Sequence, residues 1–377
     1  MTVYLILYPL SMKKFVFVAF SILAFPATGF SQLTGHEHQM ISELSARLKK
    51  DVEWDDLGGS ISAAVVKDNK VIWAEAYGKA DKDRNIPADT NTLYRIGSIT
   101  KTFTATLMML LVEDKKINLD DPAEKYVPEV AEIQGYSAKH KITLKQLASH
   151  TSGLKREPEN MVMANLGPAE QWGSLLLKCL PHTRFDSKPG SQFLYSDIGF
   201  AILGLALERA SGEPYLQMIK RRIIEPLHMH DTFFVVPDDK VKNLAVGLWN
   251  TSGAVDVSWP YRQQSNMGYN IPDGALYSTP TDLAKFVSSF IVKPQLLTKS
   301  SIRKMQDISS ESYNYGLGLM ISSGMNRNTI EHDGYVAGYT AQFVVNLDSR
   351  YSIIIMRNYN QGSTDLNQVA KRFLRDL

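Results

Sequence analysis

From Ser98 to about Asp114 the chain is rich in Thr, Phe, Met and Leu and is apolar almost all round. A helix with so little polar surface is predicted to lie inside a larger fold, not on its outside. It carries Lys101 into that interior, three residues after Ser98 at its start. The chain is long enough to enclose it: 377 residues, 44% hydrophobic and 21% charged, is an ordinary globular composition with material for a large core.

The flanking patterns show what does the enclosing. Met40, Ile41, Leu44 and Leu48 recur at helical spacing. Ser62 to Val66 and Val71 to Tyr77 are β-rich and turn at Lys67-Asp68-Asn69-Lys70, which predicts a hairpin. Shorter helical patterns follow to about residue 270. One covers Ile142 to Leu147, with Thr143 as N-cap; another covers Ile198 to Ala210 and is stopped by Ser211-Gly212. The end of the chain turns β-rich again. Tyr315 to Ile321 reads as a strand, and Thr340 to Leu347 with Tyr351 to Arg357 as a hairpin. A last amphipathic helix places Leu366, Val369, Phe373, Leu374 and Leu377 on one face. Strands at both ends with helices between predict an α+β fold. One antiparallel sheet is flanked by the terminal helices, and a mainly helical lobe completes it. The expected division is an α/β lobe from about 36–98 and 270–377, and a helical lobe from about 99–269.

The first 31 residues read as a leader. Lys13 and Lys14 precede an apolar run from Phe15 to Phe25, broken by Pro26, and Gly29 and Ser31 fit a cleavage site before Gln32. Residues 1–11 carry no charge, so Met12 is taken as the start. The run is short for a membrane span. A periplasmic or secreted location is therefore expected, with membrane contact only through an uncleaved leader.

Several functions are excluded early. The formal net charge of +2 and the absence of a long basic run argue against nucleic acid as a partner. A single cysteine, Cys179, allows neither an internal disulfide nor a Cys zinc cluster, and its neighbours Leu175, Leu176 and Leu177 predict a buried apolar role. His36/His38 and His228/His230 lack a His-Glu-x-x-His partner, and Gly316-Leu317-Gly318 lacks the third glycine of a dinucleotide loop. No metal and no cofactor are expected.

Three short motifs remain. In Ser98-Ile99-Thr100-Lys101 the serine and lysine share a face of the first helical turn, and a serine needs such a neighbour to become a nucleophile. The same spacing occurs at Ser11/Lys14, Ser152/Lys155 and Ser301/Lys304, but only Ser98 opens a long buried helix. Tyr195-Ser196-Asp197 is the only Tyr-x-Asp or Tyr-x-Asn in the chain, and a phenol beside a lysine can move protons. His332-Asp333-Gly334 precedes the last hairpin, and a glycine on a sheet edge lets a substrate backbone come close. Each motif alone is as well read structurally: an N-cap, a half-buried tyrosine and a turn.

In this order the three motifs resemble the serine β-lactamase and penicillin-binding-protein superfamily. They are most similar to the branch of class C β-lactamases, D-alanyl-D-alanine carboxypeptidases and related esterases. Leu147 to Leu154, Pro189-Gly190, Glu225-Pro226-Leu227 and Leu276 to Leu283 match that branch too, so the resemblance covers roughly residues 40–370. It implies a β-lactamase-like (transpeptidase-like) fold and a serine hydrolase. Ser98 would form an acyl-enzyme, with Lys101 and Tyr195 sharing the proton transfers. The backbone N–H groups of Ser98 and Tyr335 would form the oxyanion hole. Asp197, His332, Asp333 and Gly334 would meet a small-molecule or peptide substrate.

Two positions depart from the family pattern. Asp197 stands where Asn is common: either it faces Lys101 and holds the ammonium charged, or it is protonated or points away. His332 stands where many β-lactamases have Lys, which removes a fixed cation and argues mildly against efficient β-lactamase activity. The resemblance thus implies hydrolysis of D-alanyl peptides or small esters first. β-Lactamase activity, or a sensor that is acylated without turnover, are the alternatives.

Overall fold

A computed structural model describes residues 33–377, apart from 161–165, 252–253, 265–266, 293–295, 309–312 and 323–327. The leader read at 1–31 lies outside the described residues. Residues 33–377 form one compact unit, and no described helix is long and apolar enough to cross a membrane.

The N-terminal helix α1 runs from Gly35 to Asp55, longer than its apolar repeat alone indicated. Thr34 starts it with a reciprocal capping box, in which Glu37 N–H donates to Thr34 Oγ1 and Thr34 N–H donates to Glu37 Oε2. The hairpin follows as β1 (Ser60–Lys67) and β2 (Lys70–Asp81), with a short β3 at Ile86–Pro87. Near the C-terminus come β4 (Met320–Ser322), β5 (Thr329–Val336), β6 (Tyr339–Asn346) and β7 (Tyr351–Arg357). The two ends join as expected in a seven-stranded sheet of order β3-β2-β1-β7-β6-β5-β4. The seam pairs β1 with β7 antiparallel, Ala64 opposite Ile354.

The expected strand from Tyr315 is mostly a turn. Only Met320 to Ser322 pair with β5. Gly316 N–H donates to the Leu319 carbonyl, and Gly318 adopts φ +66°, so the chain folds back and Tyr315 bridges Met320.

One sheet face is covered by α1 and by the last helix, running from Leu366 to Asp376. Ile41, Leu44 and Leu48 meet Val344, Ile353, Ile355, Phe373 and Leu374 there. The other face packs on the helical part of the chain. At its centre is α2 (Thr100–Glu113), whose residues from Thr100 to Leu111 are all buried. The helix begins two residues later than its pattern indicated, because Gly97–Ile99 form a 3₁₀ turn ahead of it. Phe103 stacks on Phe286 with ring centroids 3.8 Å apart, pinning α2. Burying a side chain of that size is worth roughly 1.5–3 kcal/mol.

Two more helices frame the site. The short α3 (Leu144–Ala148) is capped by Thr143 in a capping box with Gln146. The longer α4 (Asp197–Ser211) is capped by Ser196 and closed by Gly212 in the left-handed region. It too is buried almost all round, so α2 and α4 pack as a pair of core helices. Cys179 is fully buried, as its leucine neighbours predict, and burial pushes its thiol up to about 12.

Candidate active site

The site forms where α2, α4 and β5 meet. Ser98 sits in the 3₁₀ turn, which has no side-chain cap, so its hydroxyl is not spent on the helix start. Lys101 Nζ donates to Ser98 Oγ at 3.1 Å. Tyr195 enters from the loop before α4, and Ser98 and Lys101 both act to favour its ionised form. The Lys101 ammonium lies 4.9 Å from the centre of the Tyr195 ring. The three side chains brought together by motif order alone therefore do converge.

The opposite wall is β5. A Cβ on Gly334 would stand 1.9 Å from the Ile96 carbonyl oxygen, and one on Gly97 would stand 3.0 Å from Tyr335 N. Strand and turn thus touch backbone to backbone, which only glycine permits, and Gly97 also needs its φ of +51°. This contact sets the Tyr335 amide beside the turn that carries Ser98.

Asp197 takes the first of its two alternatives. Its Oδ1 accepts from Lys101 Nζ at 2.6 Å, and its Oδ2 accepts from Arg156 Nε at 2.9 Å. Burial alone would raise this carboxyl, but the two cations lower it to about 2. Burial alone would neutralise Lys101, but Asp197, Tyr195 and Asp273 outweigh it and raise the lysine. Burial pushes the Tyr195 phenol up to about 12, against the pull of Lys101. At neutral pH the resting trio is a cationic Lys101, a carboxylate Asp197 and a neutral Tyr195.

Three of the expected substrate contacts need correction. Asp197 is 5% exposed with both oxygens taken by cations, so it anchors Lys101 and has nothing to donate to a substrate. His332 is fully buried. Its Nδ1 lies 2.6 Å from the Asp333 carbonyl, which can only accept, so Nδ1 carries the proton. Nε2 then accepts from the Tyr315 hydroxyl at 2.9 Å. Burial lowers this histidine further, so it is a neutral internal prop. Asp333 alternates with His332 and Gly334 along β5 and belongs to the opposite sheet face. Gly334 and the Tyr335 backbone remain at the site. The Tyr335 ring is turned away to Trp249, its hydroxyl accepting from Asn360 Nδ2 at 2.9 Å.

Sequence reasoning missed Arg156 and Asp273. Lys101 Nζ donates to the Asp273 carbonyl at 3.0 Å, and the Asp273 carboxyl, raised by burial, lies 3.7 Å away. Neither residue belongs to a motif, and nothing in the spacing pointed to them. Among the described residues no group of three or more His, Cys, Asp or Glu side chains is placed to hold a metal ion.

A seven-stranded antiparallel sheet backed by terminal helices, with Ser-x-x-Lys at the foot of a buried helix, defines the class of β-lactamase and penicillin-binding-protein folds. The penicillin-binding protein homologue of Pyrococcus abyssi superposes with a TM-score of 0.74 at 25% identity, over 89% of this chain and 76% of that one. A class C beta-lactamase does so with a TM-score of 0.74 at 22% identity, over 90% and 96%. The chain belongs to the beta-lactamase family, whose model matches residues 55–374. It is 26% identical to Protein flp of Staphylococcus aureus (strain N315) over 337 residues, which is 88% of this chain and 65% of that protein. The chain therefore spans just under two thirds of that relative's length. It is 27% identical to D-alanyl-D-alanine-carboxypeptidase/endopeptidase AmpH of Escherichia coli (strain K12) over 274 residues, covering 72% of this chain and 68% of that one.

Proposed function

We propose that this protein is an exported serine hydrolase that forms an acyl-enzyme at Ser98 and cleaves amide or ester bonds of D-alanyl peptides or small esters. The observation that carries the reading is Ser98 Oγ held 3.1 Å from a buried ammonium, with the centre of the Tyr195 ring 4.9 Å from that same ammonium. AmpH, a carboxypeptidase by name, supports the peptide substrate, as does the likeness to a D-stereospecific amidohydrolase from Streptomyces, 26% identical with a TM-score of 0.69. Export rests on the apolar run Phe15 to Phe25 behind Lys13 and Lys14. N-terminal sequencing of the exported protein is expected to begin near Gln32.

In the proposed reaction Ser98 Oγ attacks the acyl carbonyl carbon. Its proton passes to the Tyr195 oxygen as Tyr195 gives its own proton to the departing amine or alcohol. The Lys101 cation stabilises charge building on the phenol, and the Ser98 and Tyr335 amides receive the oxyanion. The old C–N or C–O bond breaks, leaving an ester on Ser98. Water then attacks that ester by the same relay in reverse, releasing the acid and returning the proton to Ser98.

The test is a hydrolysis screen over p-nitrophenyl esters, nitrocefin and D-alanyl-D-alanine peptides, with Ser98→Ala as control. Turnover that survives in Ser98→Ala overturns the assignment. A second reading, a sensor that is acylated and stays so, is favoured by the tight hold of Asp197 on Lys101, which keeps the amine protonated and leaves the activation of water to a neutral phenol. It is the outcome if a penicillin probe gives a lasting adduct without turnover.

A further inference from the structure

His150 is tied to the chain on both sides of Tyr195. Its carbonyl accepts from Leu194 N–H at 2.7 Å, and its Nδ1 accepts from Ser196 N–H at 3.0 Å. Between these bonds its ring lies against the Tyr195 ring, centroids 4.1 Å apart and tilted by 31°. On another side the ring meets Tyr315 at 4.8 Å, whose hydroxyl bonds to His332 Nε2 on β5. A continuous line of rings thus runs from Tyr195 to the strand that carries Gly334 and Tyr335.

Holding this position has a cost. His150 adopts φ +57°, in the left-handed region that few non-glycine residues visit, although histidine does so more often than most. It is fully buried, and its Nε2, which must carry the ring proton because Nδ1 accepts, has no hydrogen-bond partner among the described residues. A buried N–H left unpaired is destabilising. Stability alone therefore does not account for an imidazole here; what it does supply is an acceptor at Nδ1 and a flat surface for Tyr195.

We propose that His150 is a positioning residue that fixes the Tyr195 phenol over Ser98 and Lys101 and, through Tyr315 and His332, registers it against β5. The inference rests on reading Ser98 as nucleophile and Tyr195 as proton relay. It adds a residue that acts only through Tyr195.

The experiment is a double-mutant cycle read by the rate at which a fluorophosphonate probe labels Ser98, followed by intact mass, with thermal unfolding confirming that each variant is folded. Tyr195→Phe is expected to slow labelling by about 100-fold. His150→Ala is expected to slow it about 10- to 100-fold in the wild-type background but less than about 3-fold when Tyr195 is already Phe. His150→Asn tolerates the left-handed backbone and keeps an acceptor on the same Cγ, so it is expected to recover to within about 5-fold of wild type. Tyr315→Phe, which loses only the hydroxyl to His332, is expected to slow labelling a few-fold, again only while Tyr195 is present. Equal slowing by His150→Ala in both backgrounds, or no recovery with Asn, overturns the inference. If His150→Ala does not fold, the cycle with Tyr315→Phe decides it, and equal slowing with and without the Tyr195 hydroxyl overturns the inference. Labelling of Ser98→Ala, or undiminished labelling of Tyr195→Phe, instead overturns the functional reading beneath it.

Discussion

Lys101 Nζ lies 2.6 Å from Asp197 Oδ1, nearer than the 3.1 Å that separates it from Ser98 Oγ. The ammonium is thus committed first to a carboxylate and only then to the nucleophile. Both partners are buried, so each is costly without the other. The pair explains how a lysine enters the core on α2, and why it is a cation in the resting protein.

Removing that carboxylate charge frees the lysine. In Asp197→Asn, burial acts on Lys101 with one opposing charge fewer, and the lysine deprotonates at lower pH. The falling, alkaline limb of the pH profile of kcat/KM for ester hydrolysis, where the Lys101 cation is lost, is expected to move down by about one unit or more. A profile that stays in place would show that Lys101 does not gate the rate.

The same pair makes stability depend on acid. The Asp197 carboxyl is lowered in the fold from an ordinary 3.8 to about 2. Its contribution is present above the unfolded value and is lost as pH falls through the folded one. Urea unfolding between pH 5 and 2 is expected to show wild-type stability dropping in that window, with a shallower drop in Asp197→Asn. Parallel curves would contradict the assignment.

Gly334→Ala tests the contact between strand and turn. The added methyl would sit 1.9 Å from the Ile96 carbonyl oxygen, so β5 or the turn must shift. Destabilisation of roughly 1–3 kcal/mol is expected from the overpacking. Labelling of Ser98 is expected to fall by more than the stability loss explains, since the Tyr335 amide moves with the strand. Denaturant unfolding and probe labelling on one preparation separate the two effects.

Cys179 is expected to be inert in the folded protein. It is fully buried and its thiol is pushed up to about 12, so almost no thiolate exists at neutral pH. Ellman's reagent should titrate no thiol in buffer and one in denaturant. Rapid reaction in buffer would mean that the helix at Trp172–Cys179 opens.

Much of the architecture was legible because it is local. The spacing of Ile41, Leu44 and Leu48, the turn at Asp68-Asn69 and the hairpin around Ser349 each depend on residues a few positions apart. The strand expected at Tyr315 failed for a local reason too. An apolar run interrupted by Gly316 and Gly318 fits a turn as well as a strand, and the bond from Gly316 N–H to the Leu319 carbonyl with Gly318 at φ +66° makes it the turn.

The sequence by itself determined that a serine and a lysine share one turn at the foot of a helix too apolar to lie anywhere but inside, because that relation spans three residues. Only the tertiary structure decided which charges meet there. Asp197 reaches Lys101 across 96 positions and Asp273 across 172, and no periodicity encodes contacts of that separation. It also decided that His332 is a neutral prop and not a substrate ligand. A histidine's proton goes where its neighbours allow, and those neighbours, Tyr315 and the Asp333 carbonyl, are set only when the sheet closes on the helices.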